Sequence, residues 1–307
     1  MESKRLRNEV TAGLTSGLLT TVVTHPLDLV KLRLQLLATS NPSQGYDYII
    51  RGILKDSTGI KSLIPELYRG LGVNILGNAT AWGLYFGLYR YSKDAVFSIW
   101  TGHRRNEISS NFEVDRQMGP FLYLFSATLS GLTTAVLTNP IWVVKTRIMS
   151  TNARAEQSYR STWDGIRQLY TSEGLSGFWR GLGPSLLGVA QGALYFTLYD
   201  SLKKHYFAAT GVKRDTQLSN FENIFMTSIS KMISVSAVYP FQLLKSNLQS
   251  FEAQLHQNSF QATTLVKSIY AAKGLKGLYK GLSANLIRAV PSTCITFCVY
   301  ENMRHWL

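Results

Sequence analysis

The chain states one pattern three times. Pro26-Leu27-Asp28-Leu29-Val30-Lys31 returns as Pro140-Ile141-Trp142-Val143-Val144-Lys145 and again as Pro240-Phe241-Gln242-Leu243-Leu244-Lys245. The three prolines stand 114 and 100 residues apart. Each is followed, 42, 39 and 39 residues later, by aromatic-basic-Gly-Leu: Tyr68-Arg69-Gly70-Leu71, Trp179-Arg180-Gly181-Leu182 and Tyr279-Lys280-Gly281-Leu282. Two motifs at matched spacing, in triplicate, mean a chain built from three copies of one unit of about 100 residues. We read the units as 1–100, 117–208 and 219–307.

Six segments read as long, mainly apolar helices: 8–38, 71–98, 118–150, 181–207, 219–251 and 282–306. Each is long enough to cross a hydrocarbon layer of ~30 Å. Gly13, Gly17, Ser126, Ser130 and Gly131 would let such helices pack closely. Yet mean hydropathy is only +0.00, because Asp28, Lys31, Arg33, Lys145, Arg147, Lys231, Lys245 and Arg288 interrupt the spans. Charge at membrane depth is costly against lipid, so these groups should face a watery interior. Six amphipathic spans around a polar cavity follow. Shorter amphipathic stretches, such as 161–171 and 261–271, should lie flat on the membrane surface. The stretches 102–117 and 211–220 read as polar links. An even number of spans puts both termini on one side.

Charged residues make up 16% of the chain, and the formal net charge is +14. That excess suits anionic ligands or lipid headgroups. The basic residues recur at repeat positions inside apolar segments rather than forming a phosphate-tracking stripe, so no nucleic-acid partner is expected. There is no Gly-x-Gly-x-x-Gly or Walker pattern in a strand–helix context, no nucleophile–base constellation and no ligand cluster. Neither an enzyme nor a metal site is expected. Cys294 and Cys298, four apart, read as two free core thiols. The polar segment 1–10 lacks the apolar stretch of a signal peptide, which leaves any organelle address internal.

A proline in mid-span removes a helix hydrogen bond and bends the helix. Three such bends, related by pseudo-threefold symmetry, draw three helix ends together. The residues two and five beyond each proline then lie near that closure: Asp28 and Lys31, Trp142 and Lys145, Gln242 and Lys245. Opposite charges there can form a breakable latch. A second ring stands near the ends of the even spans. Tyr199-Asp200-Ser201-Leu202-Lys203 matches Tyr300-Glu301-Asn302-Met303-Arg304, while the first unit has Tyr89-Arg90-Tyr91-Ser92-Lys93. Two latches at opposite ends of one cavity are what alternating access requires.

Along essentially its whole length the chain resembles the mitochondrial carrier family, whose signature is Pro-x-acid-x-x-basic with aromatic-basic-Gly downstream, in triplicate. The resemblance implies an all-α membrane protein: six transmembrane helices in a threefold pseudosymmetric barrel, with three short matrix-side surface helices. It implies a monomer of the mitochondrial inner membrane, with both termini facing the intermembrane space. It pairs Asp28 with Lys145 at a matrix gate braced by Gln35. It pairs Asp200 with Arg304, and Glu301 with Lys93, at a cytoplasmic gate that also holds Lys203. It implies cardiolipin at the helix N-termini of Arg69-Gly70, Arg180-Gly181 and Lys280-Gly281. Trp142, Gln242 and Arg90 depart from the pattern by replacing acids.

Nine residues beyond each motif aromatic come Gly77, Gly188 and Arg288. These match the family's three substrate contact points: Gly77-Asn78, Gly188-Val189 and Arg288. The second unit is one residue shorter here, so Gln191 is a further candidate. The two glycines would leave room for a large flat group, and Arg288 would grip a phosphate or carboxylate. Trp82, Tyr85 and Tyr195 stand near this level, as stacking surfaces or as packing residues. Lys231 takes the place of Gly17 and Gly131. It either lines the cavity or runs to an interface. The Trp142 variant resembles the branch of the family that moves FAD, folate, NAD and pyrimidine nucleotides. The segments 239–250 and 291–302 most resemble its FAD-transporting members. FAD is therefore the expected substrate, as cargo rather than cofactor. Folate, NAD or a pyrimidine nucleotide is the alternative, and a proton-leak carrier a more distant one.

Overall fold

A computed structural model describes residues 2–41, 43–55, 59–101, 119–151, 159, 161–210, 219–250 and 261–306. The first repeat holds α1 (Glu2–Leu36), α2 (Tyr46–Lys55), α3 (Ile60–Leu67) and α4 (Leu71–Thr101). The second holds α5 (Pro120–Ser150), α6 (Thr162–Glu173), a 3-10 turn (Leu175–Trp179), α7 (Leu182–Gly188) and α8 (Ala190–Thr210). The third holds α9 (Asn220–Gln249), α10 (Ala262–Lys273), α11 (Leu275–Leu278) and α12 (Leu282–Trp306). The described residues are all-α. The expected link 102–117 and residues 211–218 of the expected link 211–220 lie outside them, whereas Ser219 and Asn220 already cap and begin α9.

Local chemistry sets the ends. Gly119 precedes Pro120 at the first position of α5, where the missing N–H costs nothing. Ser161 caps α6 by accepting from Asp164 N at 3.1 Å. The helices α6 and α10 stop at Gly174 and Gly274, with φ of 65° and 61° that side chains rarely adopt. Pro26, Pro140 and Pro240 lie inside α1, α5 and α9.

Each long helix meets the next. The helix α1 packs on α4, α4 on α5, α5 on α7, α7 and α8 on α9, α9 on α12, and α12 returns to α1. Among the described residues, only 121–150 and 221–249 are long and apolar enough to cross a membrane by hydropathy alone. Of the other four expected spans, α1 carries Asp28, Lys31 and Arg33. The second even span differs from expectation by breaking at Val189, whose N–H turns to Leu186 O (3.1 Å). The first repeat supplies two short helices, α2 and α3, where one surface helix was expected; Gly59, with φ of 139°, separates them.

One bond explains why the two repeated motifs keep their spacing. The residue before each proline is fully buried and reaches the carbonyl of the basic residue downstream. His25 Nε2–H donates to Arg69 O at 3.0 Å, leaving Nδ1 to accept from Asn74 Nδ2 at 3.2 Å. Asn139 Nδ2 donates to Arg180 O at 3.2 Å, and the Tyr239 hydroxyl to Lys280 O at 2.8 Å. The motif glycines then carry φ of 78°, 69° and 84°. They press on the odd helix of the next repeat, at the position nine beyond its proline. An added Cβ would stand 3.0 Å from Met149 Cγ at Gly70, 2.9 Å from Gln249 Cγ at Gly181, and 3.3 Å from Gln35 Cγ at Gly281. Each repeat thereby clasps its neighbour, and the third clasps the first.

Candidate functional site

A cavity of about 510 Å³ opens at the level of the proline bends. Its wall includes Asp28, Lys31, Lys145, Lys231, Lys245 and Arg288. Among the described residues, Asp28 is the only acid in that wall, against five basic side chains. A second cavity, of about 610 Å³, is lined by Trp82, Gly192, Tyr195, Thr227, Ser292, Thr293 and Thr296. Gln191 and Lys231 belong to both walls. One chamber is cationic, the other is neutral, hydroxyl-bearing and aromatic, and one lysine stands between them. Lys231 lines the cavities rather than running to an interface.

The matrix-gate residues come together, but not in the expected pairs. Asp28 Oδ1 lies 3.0 Å from Arg288 Nε, not against Lys145. The Lys145 ammonium instead sits 5.0 Å from the centre of the Trp142 ring, and Lys245 5.8 Å from it. The indole thus offers its electron-rich face where a carboxylate would stand. Such a contact contributes about 0.5–2 kcal/mol, more as it is desolvated. Gln242 Nε2 donates to Gln191 Oε1 at 2.7 Å, and Asn285 Nδ2 to Gln242 Oε1 at 3.4 Å. Gln35 does not brace the Asp28 pair. It bridges α1 and α9 by donating to the Tyr239 hydroxyl (3.2 Å) and accepting from Ser246 Oγ (2.8 Å).

Of the three contact points, Arg288, Gly188 and Val189 line the cationic cavity, and nothing lies within 4 Å of a Cβ built on Gly188. Gly77 is buried and outside both walls. A Cβ there would meet two Trp142 ring carbons at 3.3 Å, so this glycine makes room for the indole, not for substrate. Asn78 is also outside, donating to Asn74 Oδ1 at 3.3 Å. The expectation that two glycines leave room for a flat group therefore holds at Gly188 alone. Trp82 and Tyr195 line the second cavity, where Tyr195 stacks on Tyr199 at 6.4 Å.

In the second ring, the Lys203 ammonium lies 5.8 Å from the Phe207 ring centre. Lys93 and Asp200 lie on α4 and α8. The side chains of Glu301 and Arg304 are outside the described residues, so the two expected pairs are too.

At the other end, the basic motif residues turn inward. Arg69 Nε donates to Ile148 O (2.7 Å), and Lys280 Nζ to Leu37 O (3.1 Å) and Asn41 O (2.9 Å). Ile148 and Leu37 lie at the C-terminal ends of odd helices, where cations are favoured. Burial, and then the Lys273 ammonium, bring Lys280 down to about 8. Arg180 instead pairs with Glu173 at 2.6 Å. Glu173 also binds Arg147 at 2.7 Å, with both side chains almost fully buried. Arg33 pairs with Glu66 in the first repeat. In the third repeat Asn247 stands in the arginine's place and donates to Gln35 O (3.1 Å). Sequence reasoning missed these buried pairs. The signal was a glutamate two residues before Tyr68 and six before Trp179, with Lys273 at the latter place in the third repeat. Cys298 is exposed and Cys294 half-buried, so the two thiols do not share a packed core.

A helical ring of three clasped repeats around a cationic cavity defines a solute carrier. The family model for mitochondrial carrier proteins matches residues 2–99, 116–209 and 216–307, and the chain belongs to that family. It is 50% identical over 306 residues to the mitochondrial FAD carrier protein FLX1 of Saccharomyces cerevisiae, covering 98% of this chain and 97% of that one. It is 33% identical to the mitochondrial nicotinamide adenine dinucleotide transporter 1 of the same yeast, over 96% of this chain and 76% of that one. It is 29% identical to the chloroplastic folate transporter 1 of Arabidopsis thaliana, over 95% and 93%.

Proposed function

We propose that this protein carries FAD across the mitochondrial inner membrane by alternating access. The observation that carries the reading is the charge imbalance of the cavity at the proline bends, five basic groups against Asp28. A pyrophosphate supplies the missing negative charge and suits the fork of Arg288. The adjoining chamber, with Trp82 and Tyr195, suits a planar ring system beside it. Half-identity to a mitochondrial FAD carrier protein along nearly the whole chain supports flavin within that chemistry.

In this reading the six long helices close into a transmembrane barrel, which the cyclic order of their contacts supports. The short helices α2, α3, α6, α10 and α11 lie on the matrix side, and both termini face the intermembrane space. Asp28, Lys31, Trp142, Lys145, Gln242, Lys245 and Gln35 form the matrix gate. Lys93, Asp200, Lys203, Glu301 and Arg304 form the cytoplasmic one. Cardiolipin binds at the backbone N–H groups of Gly70, Gly181 and Gly281, because the side chains of Arg69 and Lys280 are spent on carbonyls. The protein acts as a monomer.

The test is uptake by proteoliposomes of FAD, folate, NAD and UTP side by side, with and without Arg288→Ala. FAD uptake abolished by the variant is the expected result. Uptake of NAD or UTP without FAD overturns the flavin assignment and keeps the carrier.

A further inference from the structure

The residue two beyond each proline does the same thing in all three repeats, with three different chemistries. Asp28 of the first repeat pairs with Arg288 of the third. Trp142 of the second packs on Gly77 of the first. Gln242 of the third bonds Gln191 of the second. Each gate residue is therefore held by the even span of the preceding repeat, at the level of the substrate contact points. The lysines of the gate are left with other neighbours: Lys145 and Lys245 have an aromatic face.

We infer that Asp28 is a counter-ion displaced by substrate, so that one carboxylate serves the binding site when the cavity is empty and the matrix gate when it is loaded. The inference rests on the proposed anionic, pyrophosphate-bearing substrate. In the empty cavity Asp28 neutralises Arg288 by proximity rather than by a directed bond. Arg288 Nε is buried, 3.0 Å from the carboxylate, yet has no aligned hydrogen-bond acceptor. Both side chains keep partial access, 26% and 17%. A guanidinium whose N–H groups are poorly met is open to a ligand with several acceptor oxygens in fork geometry. A pyrophosphate provides that; a neutral ring does not. Once Arg288 is taken, Asp28 is a half-buried carboxylate without that partner, a costly state. Lys145 lines the same cavity and has no carboxylate of its own in that wall. Transfer of Asp28 to Lys145 removes the penalty and draws α1 toward α5. Anion binding and the ion pair of the matrix gate thus share one charge. Gln242 stands in the same relation to Gln191, through a neutral hydrogen bond.

Asp28→Asn tests this because it separates affinity from turnover. Removing the competing charge frees Arg288, so FAD should bind on the order of fivefold more tightly, read as a lower KM and a larger FAD-induced rise in thermal midpoint of the purified protein. Removing the gate's acid should lower the maximal rate at least about tenfold. Asp28→Glu, which keeps the charge, should restore both numbers toward the parent. Should the asparagine variant fail to accumulate, Asp28→Ser is equally neutral and gives the same two readings. Weaker or unchanged FAD binding in the neutral variants, or a maximal rate equal to the parent's, overturns the inference. A parent protein that transports NAD and not FAD overturns the flavin reading alone; the same two numbers measured with NAD then decide the role of Asp28.

Discussion

Glu173→Gln should be among the most destabilising single changes outside the cavity. Glu173 ends α6 and holds Arg147 at 2.7 Å and Arg180 at 2.6 Å, with Glu173 and Arg147 exposed by only 2% and 1%. Glutamine keeps the shape and removes the carboxylate charge that the buried Arg147 guanidinium meets at 2.7 Å. The bond from Arg147 Nη1 to the Tyr159 hydroxyl is long at 3.5 Å and neutral. Breaking one side of such a pair costs about 3–5 kcal/mol. At roughly 2 °C per kcal/mol for a large chain, the thermal midpoint should fall by about 6–10 °C. The third repeat supplies an internal control. There Asn247 occupies the arginine's place and finds backbone carbonyls at 3.1 Å and 2.9 Å instead of a carboxylate. Arg147→Asn added to Glu173→Gln should therefore recover much of the loss, because it removes the buried charge that Glu173 met. The assay is thermal unfolding of the detergent-purified protein and both variants. A midpoint within about 2 °C of the parent for Glu173→Gln, or a double variant as unstable as the sum of the singles, would refute the reasoning.

Three further outcomes follow from the geometry. Gly181→Ala should cost about 2–4 kcal/mol, since it places a Cβ 2.9 Å from Gln249 Cγ and 3.2 Å from Lys245 O at a φ of 69°; the thermal midpoint checks it, and an unchanged value counts against the clasp. Trp142→Leu removes the face over which Lys145 and Lys245 sit, so the purified protein should lose about 1–2 kcal/mol, whereas Trp142→Phe should lose less; equal losses would show the ring's quadrupole to be idle. Lys280 titrates near 8 in the folded protein against an ordinary 10.5, so its contribution is fully present above about pH 10.5 and lost as the pH falls through about 8. The midpoint of the parent should rise between pH 8 and pH 10, and in Lys280→Met that rise should flatten.

The sequence by itself determined the number of repeats, the positions of the long helices to within a few residues, and the residue types around the cavity. It could do so because a proline in a helix, a glycine at positive φ and a charge in an apolar span are constraints each residue carries alone. Lys231 was legible for that reason, as a charge where two glycines stand in the other repeats. What only the tertiary structure decided is who partners whom. Register and family pattern gave Asp28 to Lys145, and the fold gives it to Arg288, because α12 packs along α1 and brings Arg288 Nε within 3.0 Å. Register likewise made Gly77 room for substrate, and the fold fills that room with Trp142. The bond from His25, Asn139 and Tyr239 to a carbonyl some forty residues away was hidden in three dissimilar side chains. No pattern of residue types could reveal it, because their common acceptor is the backbone. Spacing records that two points must meet, but the chemistry of the meeting depends on distances that only the folded chain sets.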